Sequence, residues 1–441
     1  MQIGLDIPPN VGVILKKLKN HGHKACIVGG AVRDMIMGRS PHDFDVMSSA
    51  SVSEVLKLFD KVLPIGEEHG TAVVFLDGDK VEVTLCKTGY EPGDDWQARL
   101  REDLLHRDFT INAMAVDEEG RLADPYDGLQ DIKKCIIRAP EDRNEERIHE
   151  DPLRMLRAVR LAAVLDFQLD EKLSSSIIQC LPMLTSVSVE RIREELVAIL
   201  VSERPGQGIR MLVDTGLMKY IIPELLDTVG FNQHNPYHIY NVFDHTLAVI
   251  EKVPAFLEIR LAALFHDIAK PATFTLDEKG IGHFYQHQRI GGNMTKIILS
   301  RMKFSGDIIE KVSTLVGEHM SWLEKPTPEA VKRLINRVGA ENLPDLFTLQ
   351  RADLCGSAPP YDFSFIDQTQ EMANEILTRK EALTVKDLAV NGQDLMDMGY
   401  LPGEKLGKAL NRLLDIVLSE PEINRKDRLM GLAAEWLMKE H

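Results

Sequence analysis

Cysteine is scarce in this 441-residue chain and never clustered. The five cysteines (Cys26, Cys86, Cys135, Cys180 and Cys355) lie far apart with no Cys-x-x-Cys, which argues against a zinc ribbon and against a disulfide framework. A reducing compartment, the cytoplasm, is the expectation. No stretch approaches the roughly 18 apolar residues of a membrane span, so no membrane association is expected. The N-terminal MQIGLDIPPNVG lacks a basic segment followed by an apolar run, and does not read as a signal peptide. Basic charge is also short: 52 Lys and Arg stand against 68 Asp and Glu, a formal net charge of −16. That balance argues against a broad basic field, and any RNA contact would rest on a few local groups. What remains is an ordinary folded composition, 44% hydrophobic and 27% charged, in a chain long enough for several domains.

The first third mixes helix and strand signals. A helical pattern over Val11–Asn20 leads into an apolar strand, Lys24–Val28, which ends at Gly29-Gly30. A helical run, Ala31–Met37, and a strand at Phe44–Val46 follow. Ala72–Phe75 and Val81–Leu85 flank the turn Asp77-Gly-Asp79 and read as a hairpin. After about Arg138 apolar residues recur at three- and four-residue intervals, first over Glu146–Leu200 and then almost to the C-terminus. Loops are expected at Phe231–Tyr237, Pro271–Gly282 and Ala358–Ser364. The fold class is α+β: a head with a small, mostly antiparallel sheet, followed by an all-α remainder.

The first chemical signal is Ile27-Val-Gly29-Gly30-Ala-Val-Arg33-Asp34. Two glycines between a strand and a helix let backbone N–H groups approach a phosphate, and a helix N-terminus favours an anion. The next signal is Asp43-Phe44-Asp45. Residues i and i+2 of a strand share a face, so the two carboxylates are expected to converge and to need a cation between them. Mg²⁺ suits such hard oxygen ligands, and a two-metal centre can activate a hydroxyl and stabilise leaving pyrophosphate. Glu82 on the following hairpin is a candidate third carboxylate, an exposed strand residue being the alternative.

The run GGAVRDMIMGRSPHDFDV resembles the signature of the DNA polymerase beta nucleotidyltransferase superfamily. More narrowly, it resembles bacterial class II tRNA nucleotidyltransferases and their poly(A) polymerase relatives. Three further motifs follow in the family's order. Asp103-Leu-Leu-His106-Arg107-Asp108-Phe-Thr110-Ile-Asn112-Ala113 is similar to the ribose-contacting segment, and Asp124-Pro-Tyr-Asp127-Gly128-Leu-Gln-Asp131 to the hinge between head and neck. Glu150-Asp151-Pro-Leu-Arg154-Met-Leu-Arg157-Ala-Val-Arg160 is similar to the nucleotide-selecting helix. Three residues apart on one helix, Asp151 and Arg154 would offer acceptors beside a planar fork of donors, a match for the edge of a base.

The resemblance implies a Mg²⁺-dependent enzyme that builds the tRNA 3′ CCA end from CTP and ATP without a nucleic-acid template. In it Asp43 and Asp45 hold the metal ions, Gly30 and Arg33 cradle the triphosphate, and Arg107 and Asp108 sense the ribose. Asp151 and Arg154 choose the base, and Arg157 and Arg160 reach the triphosphate or the RNA end. One departure bears on specificity. Only Thr88–Arg99 separates Lys87 from the Leu100–Asp103 segment, where full CCA-adding members are expected to carry a longer flexible loop. A short loop is the family mark of CC-adding enzymes that work with a separate A-adding enzyme. The reading leans that way, with full CCA addition, a poly(A) polymerase, or primarily an HD hydrolase acting on RNA ends as alternatives.

Histidines form the second constellation. His238 and His245 are seven apart, as on one helix face; His266-Asp267 follow, then His283, His287, His319 and Asp353. Imidazoles with a carboxylate suit a divalent transition metal able to activate water for phosphoester hydrolysis. The stretch resembles the HD phosphohydrolase domain, and by that resemblance His245, His266, Asp267 and Asp353 are the first ligand candidates, His287 and His319 secondary ones. The site would hydrolyse phosphomonoesters or 2′,3′-cyclic phosphates, or survive as a structural support for tRNA binding. The expected division is a head at 1–138, a helical neck at 139–225, an HD body at 226–360 and a helical tail at 361–441. In the tail Lys405, Lys408, Arg412, Arg425, Lys426 and Arg428 are candidate phosphate contacts, or simply solvated helix faces.

Overall fold

The computed structural model describes residues 7–41, 43–65, 70–76, 79–86, 94–234 and 240–440. The chain divides into two compact units, Met1–Ile221 and Ile222–His441.

The first unit is built on a seven-stranded sheet. Its strands are β1 (Ala25–Val28), β2 (Phe44–Ser48), β3 (Val62–Ile65), β4 (Thr71–Leu76), β5 (Asp79–Leu85), β6 (Ala115–Val116) and β7 (Leu122–Ala123). They lie in the order β3-β4-β5-β2-β1-β6-β7, and every neighbouring pair is antiparallel except β2 with β5. Strand alternation divides the apolar residues between two layers. Ile27, Val46, Val74, Val81 and Val83 pack with Ile14, Leu18 and Val55 from the helices Pro9–Asn20 and Val52–Leu58. The latter helix is started by a Ser51/Glu54 capping box. On the opposite face Cys26, Val28 and Met47 meet Leu100 and Leu104 of the helix Trp96–Leu105. Each such side chain taken from water contributes roughly 1.5–3 kcal/mol.

The rest of the first unit is largely helical, as the periodicity predicts, with two differences. A two-stranded parallel ribbon joins Ile136–Ile137 to Gln168–Leu169. The segment Glu150–Arg160 is not one helix: Asn144–Glu150 stops, and a second helix runs Arg154–Leu165. Asp151 between them is extended (φ −148°, ψ 100°). The cause is Pro152, which has no N–H to give and disfavours helical backbone in the residue before it. The shared helix face expected for Asp151 and Arg154 is therefore corrected. Three helices follow at Glu171–Cys180, Val189–Leu200 and Pro205–Asp214.

In the second unit the helices Val242–Ile250, Leu257–Phe265, His287–Arg301, Gly306–Glu318 and Leu343–Cys355 surround the histidine cluster. The pair His287–Arg301 and Gly306–Glu318 packs closely because Gly292 has no side chain; a Cβ there would meet Ser313 O at 3.0 Å. The expected loop at Pro271–Gly282 holds an antiparallel hairpin, Phe274–Leu276 with Gly282–Phe284. His238 lies outside the described residues, and the helix that carries His245 begins only at Val242, capped by Asn241. Helices at Ser364–Thr378, Glu404–Ser419 and Lys426–Glu440 dominate the tail. Among the described residues no helix is long and apolar enough to cross a membrane.

Candidate functional sites

The head cleft is assembled by strand register. β1 places Val28 opposite Asp45 of β2, and β2 places Asp45 opposite Glu82 of β5. Asp45 and Glu82 thus stand side by side on the face that also carries Val28 and Met47. With Thr71, Thr84, Asp103 and Arg107 they line a cleft of about 550 Å³. Gly29, the turn after β1, has φ 78° and ψ −145°, a conformation open essentially to glycine alone. A Cβ on Gly29 would stand 3.3 Å from both Arg107 Nη1 and Asp45 Oδ2, so the bare turn is what lets these groups close on it. Gly30 opens the next helix, with the Arg33 guanidinium 3.5 Å from where its Cβ would be.

Asp43 precedes β2 at the cleft rim. Its side chain is 66% exposed, and its carboxylate lies 3.2 Å from Lys80 Nζ. Asp43, Asp45 and Glu82 do not gather within 4.8 Å as a set of three; Asp45 and Glu82 are the pair that the sheet brings together. The cleft holds Asp45, Glu82 and Asp103 against one guanidinium, Arg107, which is 3.5 Å from Asp103. Such an excess of hard carboxylate oxygens fits divalent cations of the Mg²⁺ class.

Behind the Gly29-Gly30 turn a polar relay crosses the head. Arg33 donates to Asn112 Oδ1 (2.8 Å), Asn112 donates to Asp108 Oδ1 (3.0 Å), and Asp108 Oδ2 forms an ion pair with Arg157 Nη2 (2.6 Å). Three expected nucleotide-binding residues are thereby tied together, with Asn112 as the link that sequence reasoning assigned no role. The base-reading candidates are held apart. Arg154 donates to Glu150 Oε2 (2.8 Å), to the Arg147 carbonyl (2.8 Å) and to the His106 carbonyl (3.3 Å). Asp151 instead accepts from Arg191 (2.9 Å) and from the Leu153 N–H (3.2 Å). Arg160 points at Glu195 (2.6 Å). The buried Arg147 contacts His106 Nδ1 (3.1 Å) and also pairs with Glu150. The His106 contact of Arg147 spans 41 residues and is not announced locally, whereas its Glu150 partner is three residues on.

The hinge motif is a packing device. Asp124 accepts from Gly128 N (2.7 Å) and Leu129 N (3.0 Å), while Asp131 receives Thr110 Oγ1 (2.5 Å) and Arg138 (3.0 Å). A Cβ on Gly128 would stand 2.3 Å from the Thr110 carbonyl oxygen.

In the second unit four imidazoles and two carboxylates converge in a buried centre. His245 Nε2 is 2.9 Å from Asp353 Oδ1 and 3.2 Å from His266 Nε2. Asp267 turns Oδ2 toward His266 (3.2 Å) and His245 (3.6 Å), and Oδ1 toward His287 (3.5 Å) and His319 (3.8 Å). Every imidazole is oriented by the backbone: Nδ1 of His245, His266, His287 and His319 faces the carbonyls of Gly356, Ala263, Phe284 and Val316 at 2.8–3.1 Å. A carbonyl can only accept, so Nδ1 carries a proton, and Nε2 is the nitrogen that faces the centre and would offer its lone pair to a metal in the neutral form. Two overlapping ligand triads result, His245–His266–Asp267 and Asp267–His287–His319. This donor set fits divalent transition metals. His287 and His319, expected as secondary, stand within a few tenths of an ångström of the first-choice histidines in their distance from Asp267. His283 lies apart, 3.3 Å from Asp277.

Charge follows from burial. Burial pushes the His319 imidazole down to about 3, and lowers that of His287. Burial also opposes ionisation of Asp267, but His266 and Lys270 (Nζ 2.7 Å away) outweigh it and hold the carboxylate well below its usual range. His266 is pulled the other way: burial disfavours its cation, and the Asp267 charge raises it above the ordinary value.

Comparison with known proteins agrees along the length of the chain. The Poly A polymerase head domain family matches residues 25–138, and the family described as a probable RNA and SrmB-binding site of polymerase A matches residues 166–228. The HD domain matches residues 237–355, and tRNA nucleotidyltransferase domain 2 matches residues 357–433. The CCA-adding enzyme of Ligilactobacillus salivarius is 41% identical over 441 residues, covering 96% of this chain and 95% of the relative. The A-adding tRNA nucleotidyltransferase of Deinococcus radiodurans is 31% identical over 412 residues, covering 89% and 91%. The crystal structure of the Bacillus stearothermophilus CCA-adding enzyme in complex with CTP superposes with a TM-score of 0.70 at 27% identity, covering 99% of each chain. With the sheet, the glycine turn and the ordered motifs all in place, the chain belongs to the class II CCA-adding tRNA nucleotidyltransferases and carries an HD domain.

Proposed function

We propose that the head cleft transfers nucleotides from CTP and ATP to the 3′ end of tRNA without a nucleic-acid template. The observation that carries this reading is the side-by-side register of Asp45 and Glu82 at the Gly29 turn, with Arg107 against it. Asp45, Asp43 and Glu82 are the residues that would hold divalent cations. Bound there, the cations would offset triphosphate charge and make the 3′-hydroxyl more acidic. Transfer joins the RNA 3′-oxygen to the α-phosphorus while the α–β bond breaks and pyrophosphate leaves. Gly30 and Arg33 cradle the triphosphate, Arg107 and Asp108 sense the ribose, Asp151 and Arg154 read the base, and Arg157 and Arg160 serve the triphosphate or RNA end. In this reading residues 1–138 act as head, 139–225 as neck, 226–360 as HD body and 361–441 as tRNA-contacting tail, and the enzyme works in the cytoplasm.

Two of the three relatives named above are CCA-adding enzymes, which favours complete CCA synthesis within one enzyme, while the third is A-adding. The short Lys87–Arg99 segment favours CC addition; residues 87–93 of it lie outside the described residues. Nothing in the relatives supports a separate A-adding partner. The discriminating assay incubates tRNA lacking its 3′ end with Mg²⁺ and CTP, ATP, or both, and sizes the product. Growth by three residues with both nucleotides identifies a CCA-adder. Growth by two, unchanged by ATP, identifies a CC-adder. Long adenylate tails would mark a poly(A) polymerase instead, growth by one residue only on tRNA already ending in CC would mark an A-adder, and no growth on either tRNA would refute the transferase reading.

We further propose that the second-unit centre holds two divalent metals, with Asp267 shared between His245–His266 and His287–His319 and with Asp353, facing Nε2 of His245 and of His266, completing the first set. Such metals would supply an activated water for hydrolysis of phosphomonoesters or 2′,3′-cyclic phosphates. Release of phosphate, or opening of a cyclic phosphate, on a metal-loaded sample tests it; an inert loaded sample would leave the centre a structural support.

A further inference from the structure

We propose that His283 and Tyr285 form a stacking platform for a nucleobase beside the histidine centre, so that the phosphoester taken there is a nucleotide, its phosphate at the ligand cluster and its base on the Tyr285 ring. This rests on the reading above that the centre acts on phosphoesters. Of the six side chains in the centre, His245, His266, Asp267 and His319 are at most 2% exposed, while His287 keeps 7% and Asp353 13%. The centre therefore opens at His287 and Asp353. Tyr285 stands two residues before His287, at most about 7 Å of backbone, which is within the reach of one nucleotide.

Alternation along the strand Gly282–Phe284 and the residue after it separates two sets of rings. Phe284 turns inward: its ring meets that of His287 edge-on (centroids 6.5 Å apart, 80° between planes), and Lys270 Nζ lies 5.3 Å from its centre. His283 and Tyr285 stack on one another, 5.5 Å apart and 9° from parallel. His283 Nε2 is 3.3 Å from Asp277 Oδ2, and Asp277 is itself fixed by the N–H groups of Lys279 (2.9 Å) and Ile281 (2.8 Å). Gln286, at φ 62°, then turns the chain into the helix that starts with His287, which ties the ring pair to a ligand of the centre. Tyr285 is nonetheless 69% exposed. A ring held parallel to a second ring and otherwise left to solvent buries little apolar surface for the fold; it offers a flat face of the kind on which a base stacks. Every base has such a face, so the platform selects nucleotides over other phosphoesters rather than one base over another.

The test uses the full-length chain loaded with Mn²⁺, after a melting curve confirms folding of each variant. Adenosine 2′,3′-cyclic phosphate is compared with glycerol 1,2-cyclic phosphate, which carries the same five-membered cyclic ester without a base. Tyr285→Ala is expected to raise KM for the adenosine ester about tenfold, the scale of one lost stacking contact, with kcat and the kcat/KM of the glycerol ester within twofold of wild type. Tyr285→Phe and Tyr285→Trp should keep the wild-type KM, because the ring acts and the hydroxyl does not. His283→Ala, which removes only the support, should show a smaller rise. Calorimetric titration with adenosine 2′-phosphate supplies a readout independent of turnover: Kd should weaken about tenfold in Tyr285→Ala, and nucleotide bound by the head contributes equally to both proteins. KM and Kd within twofold of wild type in Tyr285→Ala, or an equal fall in kcat/KM for both esters, overturns the platform. If wild type turns over neither ester, the hydrolytic reading fails, and the titration alone decides for or against the platform.

Discussion

Asp267→Asn strikes the residue on which both ligand triads depend. The substitution keeps the shape and removes the charge, replacing one carboxylate oxygen by an amide that has no lone pair to offer. Either orientation of the amide deprives one triad of its oxygen: His245 and His266 on the Oδ2 side, or His287 and His319 on the Oδ1 side. A protein that holds two ions per chain should then retain at most one. The metal-free fold suffers as well, because Lys270 is only 6% exposed and its Nζ lies 2.7 Å from Asp267 Oδ2. Stranding a buried charge costs about 3–5 kcal/mol. The lower end applies here, since Lys270 also donates to Gln233 Oε1 at 2.9 Å and an amide oxygen still accepts. For a unit of this size about 3 kcal/mol corresponds to a fall in Tm of roughly 6–12 °C. Elemental analysis after loading with Mn²⁺ or Ni²⁺ reads the stoichiometry, and calorimetry with chelator present reads the stability. Asp267→Asn/Lys270→Met should recover much of the melting temperature and none of the metal. Two ions retained by Asp267→Asn would refute the shared-carboxylate arrangement, and an unchanged metal-free Tm would refute the role given to Lys270.

Asp45→Asn should lower nucleotide addition by two to three orders of magnitude, the scale set by losing one preorganised electrostatic group, with the fold intact by circular dichroism; addition retained in single-turnover assays would remove Asp45 from the site. Gly29→Ala forces a side chain into glycine-only backbone at about 1–3 kcal/mol and sets its Cβ 3.3 Å from Arg107 and Asp45, so urea unfolding should show the destabilisation and kcat should fall with it. Arg301 and Glu224 form a two-point pair (2.7 and 2.8 Å), and Arg301 holds the Glu224 carboxyl below its usual value. A depressed carboxyl stabilises above its unfolded value and loses that contribution as pH falls through its folded one. Glu224→Gln should thus cost about 0.5 kcal/mol at pH 7, after allowance for solvent screening, and the difference from wild type should shrink in urea titrations below about pH 4.

The head was legible because its signals are local. Strand, glycine turn, helix and D-x-D stand within some twenty residues, and the turn at Gly29 is a backbone necessity that the sequence displays. Two-residue strands such as Ala115–Val116 are too short for any period to register, and the edge strand Val62–Ile65, largely exposed, carries little apolar alternation. The Asp151 error had a visible warning: Pro152 was in the motif, and counting three residues along a helix passed through it. The equal standing of His287 and His319 with His245 and His266 was not legible. It depends on Asp267 having two oxygens aimed at different helices, which is tertiary information. Arg191 and the Arg147–His106 contact were missed for the same reason, the partners being 40 and 41 residues distant.

Three of the four central imidazoles, His266, His287 and His319, bond through Nδ1 to the carbonyl three residues earlier in the chain. Each of these ligands is thus aimed by its own turn of backbone, and the aim does not wait for an ion. Metal exchange at such a centre becomes a matter of stripping water from the incoming ion rather than of rearranging protein. Loading and unloading should therefore be reversible without passing through an unfolded chain, which would let the supply of ions in the cell govern this half of the molecule as a simple occupancy.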